Sequence, residues 1–362
     1  MSALNNSGRS DRPIIYETTG CFRPIAAVGT GGVCQIDYSD CMKITNKNRF
    51  YPLGLALALA VSGCSAPNDS ANNGPQPLTA FDPVSMDPAS TDTEFPARSG
   101  GWQIDVDDSP VNIWLWHPSG QGPYPTIVLL HGGPGWERNM DLARVLQRAG
   151  FNVVAFTHRG FWGSGGFNTQ SNGLEDIAAV VDEIRGCVDD PECPIPIDPA
   201  KIAYLGHSYG GFRAMLSIME VQDISCAAVL DTSLGPSPTS VELREYVAEH
   251  GDIPPEEKEW EERNMAPNLP FRIERVGAWS ADLLKHADRF DLKGRIDELA
   301  KERLFVLSST LGDNYSTLVE TLEEHGANQL RNELWDTDHG FNGRRVELAR
   351  AMVDYFTNDC FD

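Results

Sequence analysis

The sequence predicts an α/β protein, a mainly parallel sheet with helices on both faces. Three observations carry that expectation. From residue 126 onward, short apolar runs of strand length alternate with segments of helical apolar spacing, the pattern of successive βα units. A serine with glycines two residues to either side, Gly206-His207-Ser208-Tyr209-Gly210, stands between one such run and one such helix. A glycine-rich turn, Gly132-Gly133-Pro134-Gly135, directly follows another run.

Residues 102–107 and 111–117 alternate apolar and polar side chains around a turn at Asp107, Asp108, Ser109 and Pro110, which predicts an antiparallel pair at the sheet edge. Residues 126–130 are a buried strand running into His131 and the glycines. Leu142, Val145, Leu146 and Ala149 have helical spacing, closed by Gly150. A strand at 151–156 leads to a turn from Thr157 to Gly165, and Leu174, Ile177, Val181 and Ile184 mark the next helix, ending at Gly186. Ile202 to Leu205 form the strand before Ser208, and Ala214, Met215, Leu216 and Ile218 the helix after it. Residues 227–230 are a strand ending at Asp231. Residues 233–290 break the rhythm with glutamate-rich helical segments and read as a cap inserted between core strands. The sheet resumes at 304–307, and 345–356 is the last helix. Right-handed crossovers put the carboxyl ends of the strands, and the motifs with them, on one edge.

The chemistry follows from those motifs. Glycines around Ser208 allow a tight turn that pushes the hydroxyl clear of the sheet. Backbone N–H groups in a glycine loop can approach an oxyanion with no side chain in the way. These residues resemble the nucleophile elbow and oxyanion loop of the α/β-hydrolase family. Gly-x-Ser-Tyr-Gly-Gly is similar to the dienelactone hydrolase and prolyl oligopeptidase branches, and His131-Gly132-Gly133-Pro134-Gly135 to the loop of prolyl-peptidase-type hydrolases. Arg159-Gly160 to Ser164-Gly165 resembles the turn after the preceding strand in that family. The resemblance spans residues 102–356 and implies Ser208 as nucleophile, with Gly133 and Tyr209 N–H as oxyanion donors.

A serine needs a histidine base, and the histidine needs a carboxylate to hold its tautomer. The family order is serine, acid, histidine. His158 precedes Ser208 and reads as structural. Of the histidines after Ser208, His250 and His286 fall in the cap and His325 at a helix C-terminus, while His339 lies on a loop before the last helix, the family's base position. Asp313, after the strand at 304–307, is the preferred acid; Asp231 is the alternative, matching platelet-activating-factor acetylhydrolase-like members. Asp336 and Asp338 are too close to His339 in sequence to be easy partners and shape its loop instead. The cap glutamates read as a solvated face, or else as a site for a cationic substrate end, as in related aminopeptidases.

The 362-residue chain has a formal net charge of −23, which argues against nucleic acid and anionic lipid as electrostatic partners. Residues 42–63 read as a signal peptide: a basic start at Met42 to Arg49, a short apolar stretch, then Val61-Ser62-Gly63-Cys64, which resembles a bacterial lipobox with Cys64 as the lipidated residue. An ordinary signal peptide is the alternative. Residues 1–41 are then an extension outside the native or structured chain, with translation starting at Met42. Residues 64–100, rich in Pro, Asn, Ser and Asp, read as a disordered tether, and 101–362 as the catalytic domain. The expected location is the cell envelope, at the outer membrane facing the periplasm. Export makes disulfides expected at Cys187–Cys193 and Cys226–Cys360, the latter pair reading equally as small buried hydrophobes. With no C-x-x-C and no H-E-x-x-H motif, neither metal nor cofactor is expected. The sequence thus points to a serine hydrolase of small esters through an acyl-enzyme. A peptidase of the same fold and a non-catalytic binding lipoprotein are the alternatives.

Overall fold

A computed structural model describes residues 81–90, 92–188, 196–235, 239–265, 270–312 and 315–362. The start at Met42, the signal peptide, Cys64 and Asp313 lie outside the described residues.

The edge pair forms as expected: β1 (Arg98–Val106) and β2 (Ser109–His117) are antiparallel, and β2 pairs antiparallel with β4. Then follow β3 (Tyr124–Leu130), α1 (Met140–Arg148), β4 (Asn152–Thr157), α2 (Gln170–Gly186), β5 (Ile197–His207), α3 (Tyr209–Glu220) and β6 (Cys226–Leu230). The cap supplies α4 (Ser240–His250), α5 (Pro255–Asn264), α6 (Ala278–Lys285) and the short α7 (Ala287–Phe290). After α8 (Ile296–Leu299) come β7 (Leu304–Ser309), α9 (Tyr315–Glu324), β8 (Leu330–Trp335) and α10 (Arg345–Asp354). A π-helical turn, Tyr355–Cys360, follows α10.

The strands form one sheet in the order β1-β2-β4-β3-β5-β6-β7-β8, parallel from β4 to β8. Its central strands are buried on both faces, as a parallel sheet between helical layers requires. Val128, Leu130, Val154 and Tyr204 face one core with α2 and α3, while Ile127, Leu129, Val153 and Leu205 face the other with α1 and α10. Each such side chain contributes about 1.5–3 kcal/mol on burial.

Two expectations change. The domain begins before residue 101: β1 starts at Arg98, and segments assigned to the tether are docked. Asp82 pairs with Arg350 at 2.8 Å, Arg148 Nε donates to the Pro83 carbonyl at 2.7 Å, and Gly120 N–H donates to the Phe95 carbonyl at 2.8 Å. The tether's composition carries no periodic apolar pattern, so charge and backbone contacts of this kind leave no trace in a hydropathy reading. Strand β8 is also additional. Its side chains are partly exposed at the sheet edge, so it lacks an apolar run.

Cys226, the first residue of β6, and Cys360 form a disulfide. Cys187 is also disulfide-bonded, while Cys193, the partner expected for it, lies outside the described residues.

Candidate active site

Ser208 follows β5 directly with φ 54° and ψ −122°, a left-handed backbone that costs a non-glycine residue about 1–3 kcal/mol and persists only when its surroundings enforce it. They do. Ser208 N–H donates to the Leu230 carbonyl at 2.8 Å, and its own carbonyl accepts from Gly211 and Phe212 N–H. A Cβ on Gly210 would run into the Leu130 carbonyl, and one on Gly132 would lie 3.0 Å from Ser208 Cβ. The serine turn and the glycine loop therefore pack backbone against backbone, which only glycine permits.

His339 Nδ1 lies 2.5 Å from Asp231 Oδ2. The carboxylate beside His339 is thus Asp231, the alternative acid; Asp313, the preferred one, lies outside the described residues. Topology supplies the reason. In the sheet β6 neighbours β5, with His207 opposite Leu230, so Asp231 ends the strand beside the serine. β7, the strand leading toward Asp313, ends in Ser309, whose N–H and hydroxyl both donate to Asp231 at 2.9 Å. Burial raises the Asp231 pKa, but the hydrogen bonds from His339 and Ser309 outweigh it and bring it below the usual carboxylate value. Asp231 is buried, while the His339 side chain is 47% exposed and open to a substrate.

The His339 loop is pinned from three sides. Phe341, at φ 56°, is fully buried. Asp338 accepts from Asn342 N–H at 2.7 Å, and Asp336 accepts from the Thr310 hydroxyl at 3.0 Å, so both aspartates shape the loop as expected. His207 Nε2 donates to the His339 carbonyl at 2.8 Å. Burial, with His339 nearby, pushes the His207 pKa down to about 4, keeping it a neutral donor at physiological pH.

Tyr209 is the first residue of α3, so its N–H has no acceptor within the helix. Across from it, the loop carrying Gly133 is braced. His131 Nδ1 donates to the Gly132 carbonyl at 2.8 Å, and its Nε2 accepts from His158 N–H at 3.4 Å. Trp162 Nε1 donates to the Pro134 carbonyl at 3.0 Å. Burial holds both His131 and His158 well below the normal histidine pKa. His131 and His207 were not singled out in the sequence; each immediately precedes a motif glycine or serine, the one signal that could have found them.

The remaining histidines are engaged elsewhere. His250 Nδ1 bonds the Tyr246 carbonyl at 3.0 Å, His286 packs against Phe290, and His325 pairs with Asp297 at 2.6 Å. The turn after β4 is structural: Arg159 Nε binds buried Asp176 at 2.5 Å, and the Ser164 hydroxyl donates to the Thr157 carbonyl at 2.6 Å. Over the site the cap contributes Phe271, which packs on Phe161 at 4.3 Å between ring centroids, and Trp279, which packs on Tyr209 at 5.4 Å. A Cβ added to Gly133 would meet Phe271 at 3.7 Å. Glu261 in the cap is fully buried and accepts from the N–H groups of Gly277 and Ser280 and from the Ser280 hydroxyl. Among the described residues no cluster of histidine, cysteine and carboxylate side chains could hold a metal ion.

A sequence profile of the alpha/beta hydrolase family matches residues 127–351. The chain belongs to that family. It is similar to an uncharacterised protein of Mycobacterium tuberculosis, 31% identical over 126 residues covering 34% of this chain and 38% of that protein. An uncharacterised peptidase of Bacillus subtilis, YuxL, is 29% identical over 224 residues, covering 56% of this chain and 31% of the relative. The chain thus spans about a third of the length of these curated relatives. Among solved structures, a thermostable carboxyl esterase from Bacillus coagulans aligns with TM-score 0.53 at 14% identity, over 72% of this chain and 98% of that one. An acylaminoacyl peptidase of Pyrococcus horikoshii aligns with TM-score 0.51 at 15% identity, over 74% and 42%. These likenesses show the fold.

Proposed function

We propose that the protein is a serine hydrolase of carboxylic esters. Ser208 is the nucleophile, His339 the general base, Asp231 the acid, and the N–H groups of Gly133 and Tyr209 the oxyanion donors. The observation that carries the reading is the 2.5 Å contact between His339 Nδ1 and Asp231, on the strand adjoining the strained serine. With Nδ1–H held by Asp231, His339 Nε2 is left to take the Ser208 proton as Oγ attacks the ester carbonyl. The tetrahedral oxyanion is met by the two N–H groups, and His339 returns the proton to the departing alcohol. Water then repeats the sequence on the acyl-enzyme. The peptidase alternative relies on free cap glutamates to receive an amine. Glu261, the buried one among them, is already committed to the start of α6 and is no such receptor.

The test is a fluorophosphonate label on Ser208 with a panel of p-nitrophenyl esters and aminoacyl anilides. Ser208→Ala should abolish label and turnover in a folded protein. Asp231→Asn should lower kcat by about 10³–10⁴-fold, and Asp313→Asn should leave it within a few-fold. Full activity in Asp231→Asn, or anilides preferred over esters, would overturn the assignment. We further propose that the enzyme is exported and lipidated at Cys64, in the envelope at the outer membrane. The disulfides at Cys187 and Cys226–Cys360 support an oxidising compartment. Mass spectrometry of the mature N-terminus checks it: an unmodified chain beginning before residue 42 refutes it.

A further inference from the structure

Beneath the serine turn lies a charge that nothing above uses. Arg213 is fully buried, and among the described residues no carboxylate forms an ion pair with it. Its hydrogen-bond partners are all neutral, and the buried carboxylate that feels its charge, Asp176, is paired with Arg159. Nη2 donates to Asn168 Oδ1 and the Thr169 carbonyl, each at 2.9 Å, Nε points to Gln170 Oε1 at 3.4 Å, and Nη1 has no partner. Gly173 of α2 presses so close that a Cβ there would overlap the guanidinium. The charge therefore sits against the amino-terminal turn of α2, the positive end of that helix, which repels it. Burying a cation without a counter-ion is costly, so a merely architectural residue here would be expected to be apolar or to face a carboxylate.

What the charge does hold is Tyr209. The two residues are four apart on α3 and share a face, and the guanidinium lies 4.4 Å from the Tyr209 ring centroid. The Tyr209 hydroxyl donates to Gln170 Oε1, the oxygen that Arg213 Nε also approaches. We propose that Arg213 is a positioning residue for the oxyanion hole. Through the ring and Gln170 it fixes the first turn of α3, and its charge, with no carboxylate hydrogen-bonded to it, keeps the field around Tyr209 N–H positive where negative charge develops in the transition state. This rests on the assignment of Ser208 and Tyr209 above. Phosphonate labelling of Ser208 in the wild-type enzyme tests that assignment separately.

Two variants test the role of Arg213 itself. Arg213→Met keeps length and removes the charge. Gln170→Glu keeps the acceptor, removes the orphaned Gln170 Nε2 donor and gives Arg213 the carboxylate it lacks. The readouts are Tm, kcat and KM on a p-nitrophenyl ester, and the inhibition constant of a trifluoromethyl ketone, whose serine adduct carries the oxyanion. A purely structural Arg213 would make Gln170→Glu more stable with unchanged kinetics. The positioning role predicts that Gln170→Glu gains Tm yet loses about tenfold in kcat, with KM unchanged and ketone binding weakened by the same factor, a fraction of the loss on deleting a donor outright. Arg213→Met, if it folds, should show the same kinetic loss, with Arg213→Lys intermediate. Wild-type kcat and ketone affinity in Gln170→Glu would overturn the proposal, whatever becomes of Arg213→Met.

Discussion

Three side chains around the site have positive φ without being glycine: Ser208, Asp231 and Phe341. In the proposed triad they belong to the nucleophile, the acid and the base loop, so the local strain sits where that chemistry needs side chains aimed. The neutral His207 adds a pH term. Its folded pKa of about 4 lies below the usual 6.5, so between those values the unfolded chain binds a proton that the folded one refuses. Stability is complete above about pH 6.5 and falls as pH drops toward 4, by on the order of 3 kcal/mol. Denaturant unfolding across that range should show the slope. His207→Gln, which keeps a donor for the His339 carbonyl, should lessen it, the rest coming from His131 and His158, whose pKa values burial also lowers; an unchanged slope would place the whole effect on other groups.

Among the elements, the cap offers the sharpest check. Glu261 joins α5 to the start of α6, and Glu261→Ala would strand two N–H groups and a hydroxyl, at about 2–4 kcal/mol. A fall in Tm of roughly 5–10 °C follows for a domain of this size, measurable by thermal melting. The central strands, the serine turn, the glycine loop and His339 were all legible in the sequence, because buried parallel strands are apolar runs and strained turns demand glycine. The preference for Asp231 beside His339 was not: Asp231 and Asp313 each follow an apolar strand in the sequence, and the two hydrogen bonds from Ser309 that hold Asp231 in place exist only once β6 and β7 pair. Edge strand β8 was hidden for the opposite reason, since exposure leaves no apolar pattern. Glu261 looked like one more member of an acidic surface run until folding buried it.

At the scale of the molecule, the Cys226–Cys360 bridge spans 134 residues of sequence, enclosing β6 with Asp231, the cap, β7, β8 and His339. On the chain-entropy account closing so long a loop is worth about 5 kcal/mol. Reduction with dithiothreitol in mild denaturant should therefore lower the unfolding midpoint far more than it changes activity in the still-folded protein; an unmoved midpoint would mean the bridge is incidental. The same bridge decides how the enzyme can be mounted. Cys226 opens β6 at the sheet edge away from Ser208, Asp231 and His339, and Cys360 is tied to it there. A bead, a surface or a fusion partner attached to the chain just past Cys360 is thus bolted to the middle of the sheet from behind, with the edge that carries Ser208 facing outward.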